Sequence, residues 1–271
     1  MANGKIDFKN FNKDTFDYEN RSGELARYYP KYIHILWCFE KFNWADGSFY
    51  LCFFCHKYFK IWWNKKTPDK FNWHDSNVLA YWCYKHFHIW WDPDKFNWER
   101  GSESLSYRCR NHFNIWHKDF DKFNWNYSYL LARHCSKHIN VWWDKDKYYW
   151  VFGSEDLARY CYKYFGIWGK YISKFNYTMA SWALPRCGSK NFHKWWNPRR
   201  RFNWERGTWY LVRYCSKHFK IWYKPNRLNW HCKSLRGNNL RDVLEKYCGK
   251  YKDRWEKDFF IYRLLTEGKK K

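Results

Sequence analysis

Lys122-Phe123-Asn124-Trp125-Asn126-Tyr127-Ser128-Tyr129-Leu130-Leu131-Ala132-Arg133-His134-Cys135-Ser136-Lys137-His138-Ile139-Asn140-Val141-Trp142-Trp143 is the clearest of eight copies of one pattern in a chain of 271 residues. With Ser128 as position zero, the equivalent Ser or Thr recurs at Ser22, Ser48, Ser76, Ser102, Ser154, Ser181 and Thr208, at spacings of 26 to 28 residues. Position +3 is Leu in every copy, from Leu25 to Leu211, and +7 is usually Cys. Position +11 is Phe or Ile, and +14 is mostly Trp. Self-similarity at a fixed period marks a repeat array.

Offsets +3, +4, +7, +11 and +14 share one face at 100° per residue, which predicts an amphipathic helix. Ser or Thr at its start reads as an N-cap, because a hydroxyl can accept from a free backbone N–H. A second apolar stripe at +6 and +13, including Tyr28, Phe54, Trp82, Ile61, Ile89 and Ile221, widens the predicted buried arc to about half the circumference. A helix buried that widely packs on neighbours at both sides. The connector, as in Asp92-Pro93-Asp94-Lys95-Phe96-Asn97-Trp98, reads as a second helix of one or two turns, with a short strand as the alternative. The predicted fold is therefore all-α, an α-solenoid of about eight short helical hairpins of 26–28 residues. Residues 1–14 form an N-terminal extension, 15–230 the repeats, and 231–271 a divergent cap with a basic tail. One copy is damaged: Leu184-Pro185-Arg186-Cys187-Gly188 places Pro in the helix and Gly at the Cys position, which predicts a kink.

Lys and Arg total 51 against 26 Asp and Glu, a formal charge of +25. An excess of that size favours polyanions, nucleic acid before an anionic membrane. The charge is also patterned. Position +5 carries Arg27, Arg133, Arg159, Arg186 and Arg213, and +9 carries Lys31, Lys57, Lys85, Lys137, Lys163, Lys190 and Lys217. Offsets of four place both sets on one outward stripe. Arg199, Arg200 and Arg201 add a cluster in one connector. A solvated helix face also carries Lys and Arg, but such faces usually mix signs, and acids are scarce here. The candidate nucleic-acid-binding set is Arg27, Lys31, Arg133, Lys137, Arg159, Lys163, Arg186, Lys190, Arg199, Arg200, Arg201, Arg213 and Lys217, tracking a phosphate backbone. The Trp residues at fixed register (Trp44, Trp73, Trp98, Trp125, Trp204) read as packing rather than stacking platforms. Position +5 turns aromatic in Phe53, Tyr81 and Tyr107, and no code varies cleanly between copies. Sequence-specific readout is not expected.

Eleven cysteines fall mostly on position +7 (Cys55, Cys83, Cys109, Cys135, Cys161, Cys215). Stacked helices lie about 8–10 Å apart, beyond disulfide reach, so these read as reduced core residues. Cys-x-x-His recurs at Cys83/His86, Cys109/His112, Cys135/His138 and Cys215/His218, yet other copies put Tyr58, Tyr164 or Asn191 at the His position. Metal binding is not expected, nor is any cofactor. No phosphate-binding loop, dinucleotide fingerprint or nucleophile elbow is present, so an enzyme is not expected. Met1–Asn20 has no apolar signal block and no run reaches a membrane span, which predicts a soluble, cytoplasmic chain.

The motifs Trp91-Asp92-Pro93-Asp94-Lys95-Phe96-Asn97-Trp98 and Tyr214-Cys215-Ser216-Lys217-His218-Phe219 resemble aromatic-rich tandem-repeat proteins of giant DNA viruses of amoebae, the mimivirus relatives. The resemblance covers about Phe16 to Trp230 and implies a host cytoplasm, viral factory or virion, without implying an activity. Two functions follow from the residues: binding of RNA or DNA with little sequence specificity, or a scaffold for acidic or other proteins, such as a structural virion component.

Overall fold

A computed structural model describes residues 11–197, 202–232 and 239–267. Its described elements are short helices and turns, with no β-strand among them. The chain divides into two compact units, residues 1–124 and 125–271. In the first, helix Tyr18–Tyr28 packs on Trp44–Phe54, that on Ser76–Trp82, and that on Trp98–Arg108. In the second, Ser128–His134 packs on Trp150–Tyr160, followed in turn by Ala183–Gly188, Trp204–Tyr214, Leu240–Cys248 and Lys252–Glu267. Each unit is thus a solenoid-like stack of helices in chain order.

Within a copy, the path differs from one continuous helix. The Trp44–Phe54 helix ends at Cys55, whose backbone (φ −107°, ψ 15°) leaves the helical region. A three-residue 3-10 turn, His56–Tyr58, follows, then a one-turn helix, Phe59–Trp62. The same break falls at Cys83, Cys109, Cys135, Cys161 and Cys215. Trp at +14 locks the break. Its indole N–H donates to the Cys carbonyl seven residues back, Trp62 to Cys55 at 3.0 Å, Trp116 to Cys109 at 3.0 Å and Trp222 to Cys215 at 2.7 Å. These indoles are buried to 1% exposure or less, and an aromatic of this size removes about 150–250 Å2 from water. The predicted cap, 231–271, uses the same device: Trp255 donates to Cys248 at 3.2 Å across the Gly249–Tyr251 turn.

The expected Ser N-cap is corrected by the structure. The helices start earlier, at the Trp of Lys-Phe-Asn-Trp, and the Asn before it is the cap: Asn43 Oδ1 accepts from the N–H of Ala45 and Asp46, and Asn97 and Asn203 do likewise for Arg100 and Arg206. Ser lies inside the helix, fully buried. Ser102 Oγ donates to the Trp98 carbonyl at 2.5 Å and accepts from the backbone N–H of Asn124, in the following connector, at 2.9 Å. That same Asn sends its side-chain amide to the preceding helix, Asn124 to Glu99 O at 3.0 Å and Asn203 to Thr178 O at 3.0 Å. Within each unit Ser and the Asn of the following connector therefore tie successive helices together, with Tyr149 at the Asn position after Ser128. A buried polar pair of this kind must be satisfied or it costs stability.

Two copies start differently. Four have four residues from Trp to Ser or Thr, with Gly before it (Gly47, Gly101, Gly153, Gly207), and each helix there runs 11 residues. A Cβ on Gly101 would enter the Phe96 ring, so only Gly lets that ring lie on the helix. Trp73-His74-Asp75-Ser76 and Trp125-Asn126-Tyr127-Ser128 are one residue shorter and begin with a 3-10 turn. A 3-10 turn rises about 2.0 Å per residue against about 1.5 Å for α, so three residues span what four would. The shortened copies keep the staple: Ser76 Oγ accepts from Asn97 N at 2.8 Å.

Three further expectations are corrected. The expected second helix is found only in some connectors. Gly169–Lys174 and Pro225–Arg227 form 3-10 turns. Thr67–Lys70 is a single turn and His117–Asp119 a 3-10 turn, whereas Asp92 and Asp144 build side-chain turns, accepting from the N–H two and three residues on. The stripe at +6 and +13 is not buried: Ile35 is 46% exposed, Ile61 38%, Ile89 55%, Val141 54% and Ile221 46%. The break at Cys rotates the following turn so that only Phe at +11 and Trp at +14 face inward. At the damaged copy the helix hydrogen bonding is interrupted between Tyr177–Ala180 and Ala183–Gly188, where the N–H of Pro185 is missing. Ser181 (φ −52°, ψ −35°) and Trp182 (φ −71°, ψ −27°) nevertheless keep helical dihedrals, and the expected kink is not seen.

Candidate nucleic-acid interface

The Lys residues form two rows with different surroundings. One row is the Lys of Lys-Phe-Asn-Trp. Lys41 reaches Asp14 at 2.8 Å, Lys70 Glu40 at 2.9 Å, Lys95 Asp69 at 3.0 Å, and Lys122 Asp94 at 2.7 Å in the first unit; Lys174 reaches Asp146 at 2.8 Å in the second. Each pairs with an acid in the preceding connector, and several also donate to a carbonyl there, as Lys122 does to Pro93. Lys145 and Lys174 together hold the Asp146 carboxyl down at about 2. This row is neutralised.

The other row is position +9. Because the helix breaks at +7, these lysines stand in the middle of the 3-10 turns, while +5 closes the longer helix. Lys31, Lys57 and Lys85 in the first unit, and Lys137, Lys163, Lys190 and Lys217 in the second, are all exposed. Among the described residues none has a carboxylate within ion-pair distance. The +12 residues beside them, His34, Lys60, His88, His193 and Lys220, are exposed as well.

The +5 arginines are mixed. Arg27 lies over the Tyr28 ring and has no acidic partner among the described residues. Arg133 makes a two-pronged pair with Asp156 in the next helix, Nε to Oδ1 at 3.2 Å and Nη2 to Oδ2 at 3.0 Å. Asp156 is buried, and that burial raises its carboxyl above the usual range despite the guanidinium. Arg159 pairs with Glu155 at 3.1 Å and lies over Tyr160 and Trp182. Arg213 covers Trp209 and Tyr214. Arg186 is exposed with no acidic partner among the described residues. Arg199, Arg200 and Arg201 lie outside the described residues. The structure therefore keeps the lysines as free charge and ties several arginines into the fold.

The thiols and imidazoles of Cys-x-x-His do not converge. Cys55, Cys109 and Cys161 donate through Sγ to carbonyls of the preceding copy, Ala26, Ala80 and Ala132, at 3.4 to 3.5 Å. Burial pushes the Cys55 and Cys215 thiols up to about 12. The histidines point the other way and stack on the +11 Phe of the preceding copy: His86 on Phe59 at 4.5 Å, His112 on Phe87 at 4.7 Å, His218 on Phe192 at 4.4 Å, all within 7° of parallel. Tyr251 takes that place on Phe219. Burial, with nearby positive charge or imidazole, lowers the affinity of these His rings for a proton. Among the described residues no group of three His, Cys, Asp or Glu could hold a metal ion. The fixed-register Trp residues are occupied too: Trp44 donates to Phe39 O, Trp98 to Pro93 O and Trp230 to Pro225 O.

A shallow cleft adds geometry to the +5 row. It lies in the second unit, holds about 450 Å3, and is lined by Arg159, Tyr160, Tyr162, Arg186, Cys187 and Tyr214. No described helix is long and apolar enough to cross a membrane. No family model matches the chain, and neither a curated protein nor a solved structure matches it.

Proposed function

We propose that the chain binds polyanions, nucleic acid foremost, with little sequence specificity. The observation that carries this reading is the division of the lysines: one row is spent on ion pairs between connectors, while the +9 row stands exposed and unpaired, once in nearly every copy. Charges repeated at regular intervals suit a phosphate backbone, whose neutralisation releases counterions. Arg27 and Arg186 extend the row. No catalytic role is proposed, because the titratable groups are stacked, capped or paired as structure. In the viral setting the sequence resemblance suggests, such binding would serve condensation or packaging.

Titration of single-stranded and duplex nucleic acid across a salt series tests it. Affinity is expected to fall steeply with salt, and Lys137, Lys163, Lys190 and Lys217 changed together to Gln should lower the slope of log affinity against log salt by roughly three to four, at about 0.9 per phosphate contact. Absence of binding at low salt contradicts the proposal.

A second reading has its own support. The exposed Ile35, Ile61 and Ile89, and in the other unit Val141 and Ile221, give the outer face an apolar component that would suit a protein partner. Binding of a protein that persists at high salt and is lost in Ile61→Ser/Ile89→Ser would favour the scaffold reading.

A further inference from the structure

Position +6 is a row of large side chains on the outer edge: Tyr28, Phe54, Trp82, Arg108, His134, Tyr160, Tyr214. Cys187 is the exception. It stands between Tyr160 and Tyr214 in successive copies of the second unit, and all three residues line the cleft of about 450 Å3. Cleft and substitution coincide, so the small residue explains the opening.

The walls are chemically specific. Tyr160, Tyr162 and Tyr214 line it together with Arg159 and Arg186. Arg159 lies over Tyr160 and Arg213 over Tyr214, so each of these two rings already has a guanidinium on one face. Arg159 is held in place, paired to Glu155 at 3.1 Å and lying 5.1 Å over Tyr160 and 5.4 Å over Trp182. Arg186 has no carboxylate among the described residues to compete with an anion. Half-burial raises the Cys187 thiol, and the charges of Arg186 and Arg159 pull against that rise. The volume falls within the roughly 300–1,000 Å3 of small-ligand pockets.

We infer that this cleft is a nucleotide notch: a base takes the place of the missing ring among the tyrosines, and its phosphate lies on Arg159 and Arg186. Ring stacking on bases tolerates any sequence, and arginine recognises phosphate with paired N–H donors. The inference rests on the polyanion reading and deepens it. It assigns one point of the array where a base is gripped, while the lysine row follows the backbone. A free mononucleotide and one residue of a longer strand present the same chemistry, so the test separates them.

The experiment titrates AMP, inorganic phosphate and a single-stranded oligonucleotide against the full chain at low salt, following tryptophan and tyrosine fluorescence. Three proteins are compared: the natural chain, Cys187→Tyr, which refills the row with the residue its neighbours carry, and Arg186→Gln. AMP is expected to bind about 5- to 150-fold tighter than phosphate, since stacking contributes roughly 1–3 kcal/mol per base. Cys187→Tyr should weaken AMP at least about tenfold while leaving the oligonucleotide salt slope unchanged, and Arg186→Gln should weaken AMP and phosphate alike. Circular dichroism and the melting midpoint establish that each variant folds. If Cys187→Tyr misfolds, Cys187→Leu and the Arg186→Gln titration give the same decision. Three results overturn the notch: oligonucleotide binding without AMP binding, AMP binding unchanged in folded Cys187→Tyr, or AMP no tighter than phosphate. Failure of the oligonucleotide itself to bind would instead sink the polyanion reading.

Discussion

The copy at Trp98–Trp116 and the copy at Tyr177–Trp195 carry the same inner contacts and different outer ones. In both, the helix Ser donates to the carbonyl four residues back (Ser102 to Trp98, Ser181 to Tyr177) and accepts the N–H of the next connector's Asn, at 2.9 and 2.8 Å. In both, the +14 indole N–H reaches the +7 carbonyl, at 3.0 and 2.8 Å. Yet the second copy has lost its Gly, the unbroken hydrogen bonding of its helix, its +7 Cys and the large +6 side chain, which is Arg108 in the first copy and Cys187 here. The staple of Ser, Asn and Trp tolerates the interruption. Buried positions change as well, Cys109 to Gly188 and Gly101 to Ala180, and at the outer edge Cys187 lines a cleft beside two arginines.

This contrast can be attacked where the effects are largest. Trp116→Ala removes a fully buried indole and its hydrogen bond, and is expected to cost about 3–5 kcal/mol in denaturant unfolding. Ser102→Ala leaves the Asn124 N–H without its acceptor and should cost about 1–3 kcal/mol. If either is neutral, the inner contacts are not what holds the stack.

Two glycines should respond with opposite signs. Gly101→Ala drives a methyl into the Phe96 ring and should destabilise by about 1–3 kcal/mol. Gly188→Ala adds a Cβ 3.3 Å from the Trp195 indole nitrogen, at a backbone (φ −108°) that cysteines adopt in the other copies. It should stabilise by about 0.4–1 kcal/mol through the unfolded chain. Equal signs would break the distinction between a required and a tolerated glycine.

Smaller still is the histidine effect. His86, His112 and His218 bind protons less readily when stacked on Phe than when unfolded, chiefly through burial. Stability should therefore be complete above the unfolded value near 6.5 and fall as acid is added through the lower folded values. The double variant His86→Tyr/His112→Tyr, using the residue found at 58 and 164, should flatten the decline of the melting midpoint between about pH 7 and 5. An unchanged slope would remove the stacked imidazoles as its cause.

Much of this was legible in the residues. The period, the Leu-Cys-Phe-Trp core and the outward lysines follow from spacing alone. The break at Cys was not, because +11 and +14 match an unbroken helix as well as a rewound one. The role of Ser was misread for a related reason: a hydroxyl before good helix formers looks like a cap. The better signal was Asn followed by Trp and then an acid, as in Asn97-Trp98-Glu99. Connector ion pairs were hidden because partners such as Lys122 and Asp94 lie 28 residues apart. The cleft's place was marked by Cys187, which interrupts a row of large side chains.

The central claim is that the two lysine rows differ in kind, and one measurement decides it. The salt dependence of oligonucleotide binding should be compared between Lys137→Gln/Lys163→Gln/Lys190→Gln/Lys217→Gln and Lys70→Gln/Lys95→Gln/Lys122→Gln/Lys174→Gln, each removing four charges. The account predicts a slope lowered by roughly three to four in the first and by much less in the second. Equal losses in both would show that only net charge matters, and would contradict it.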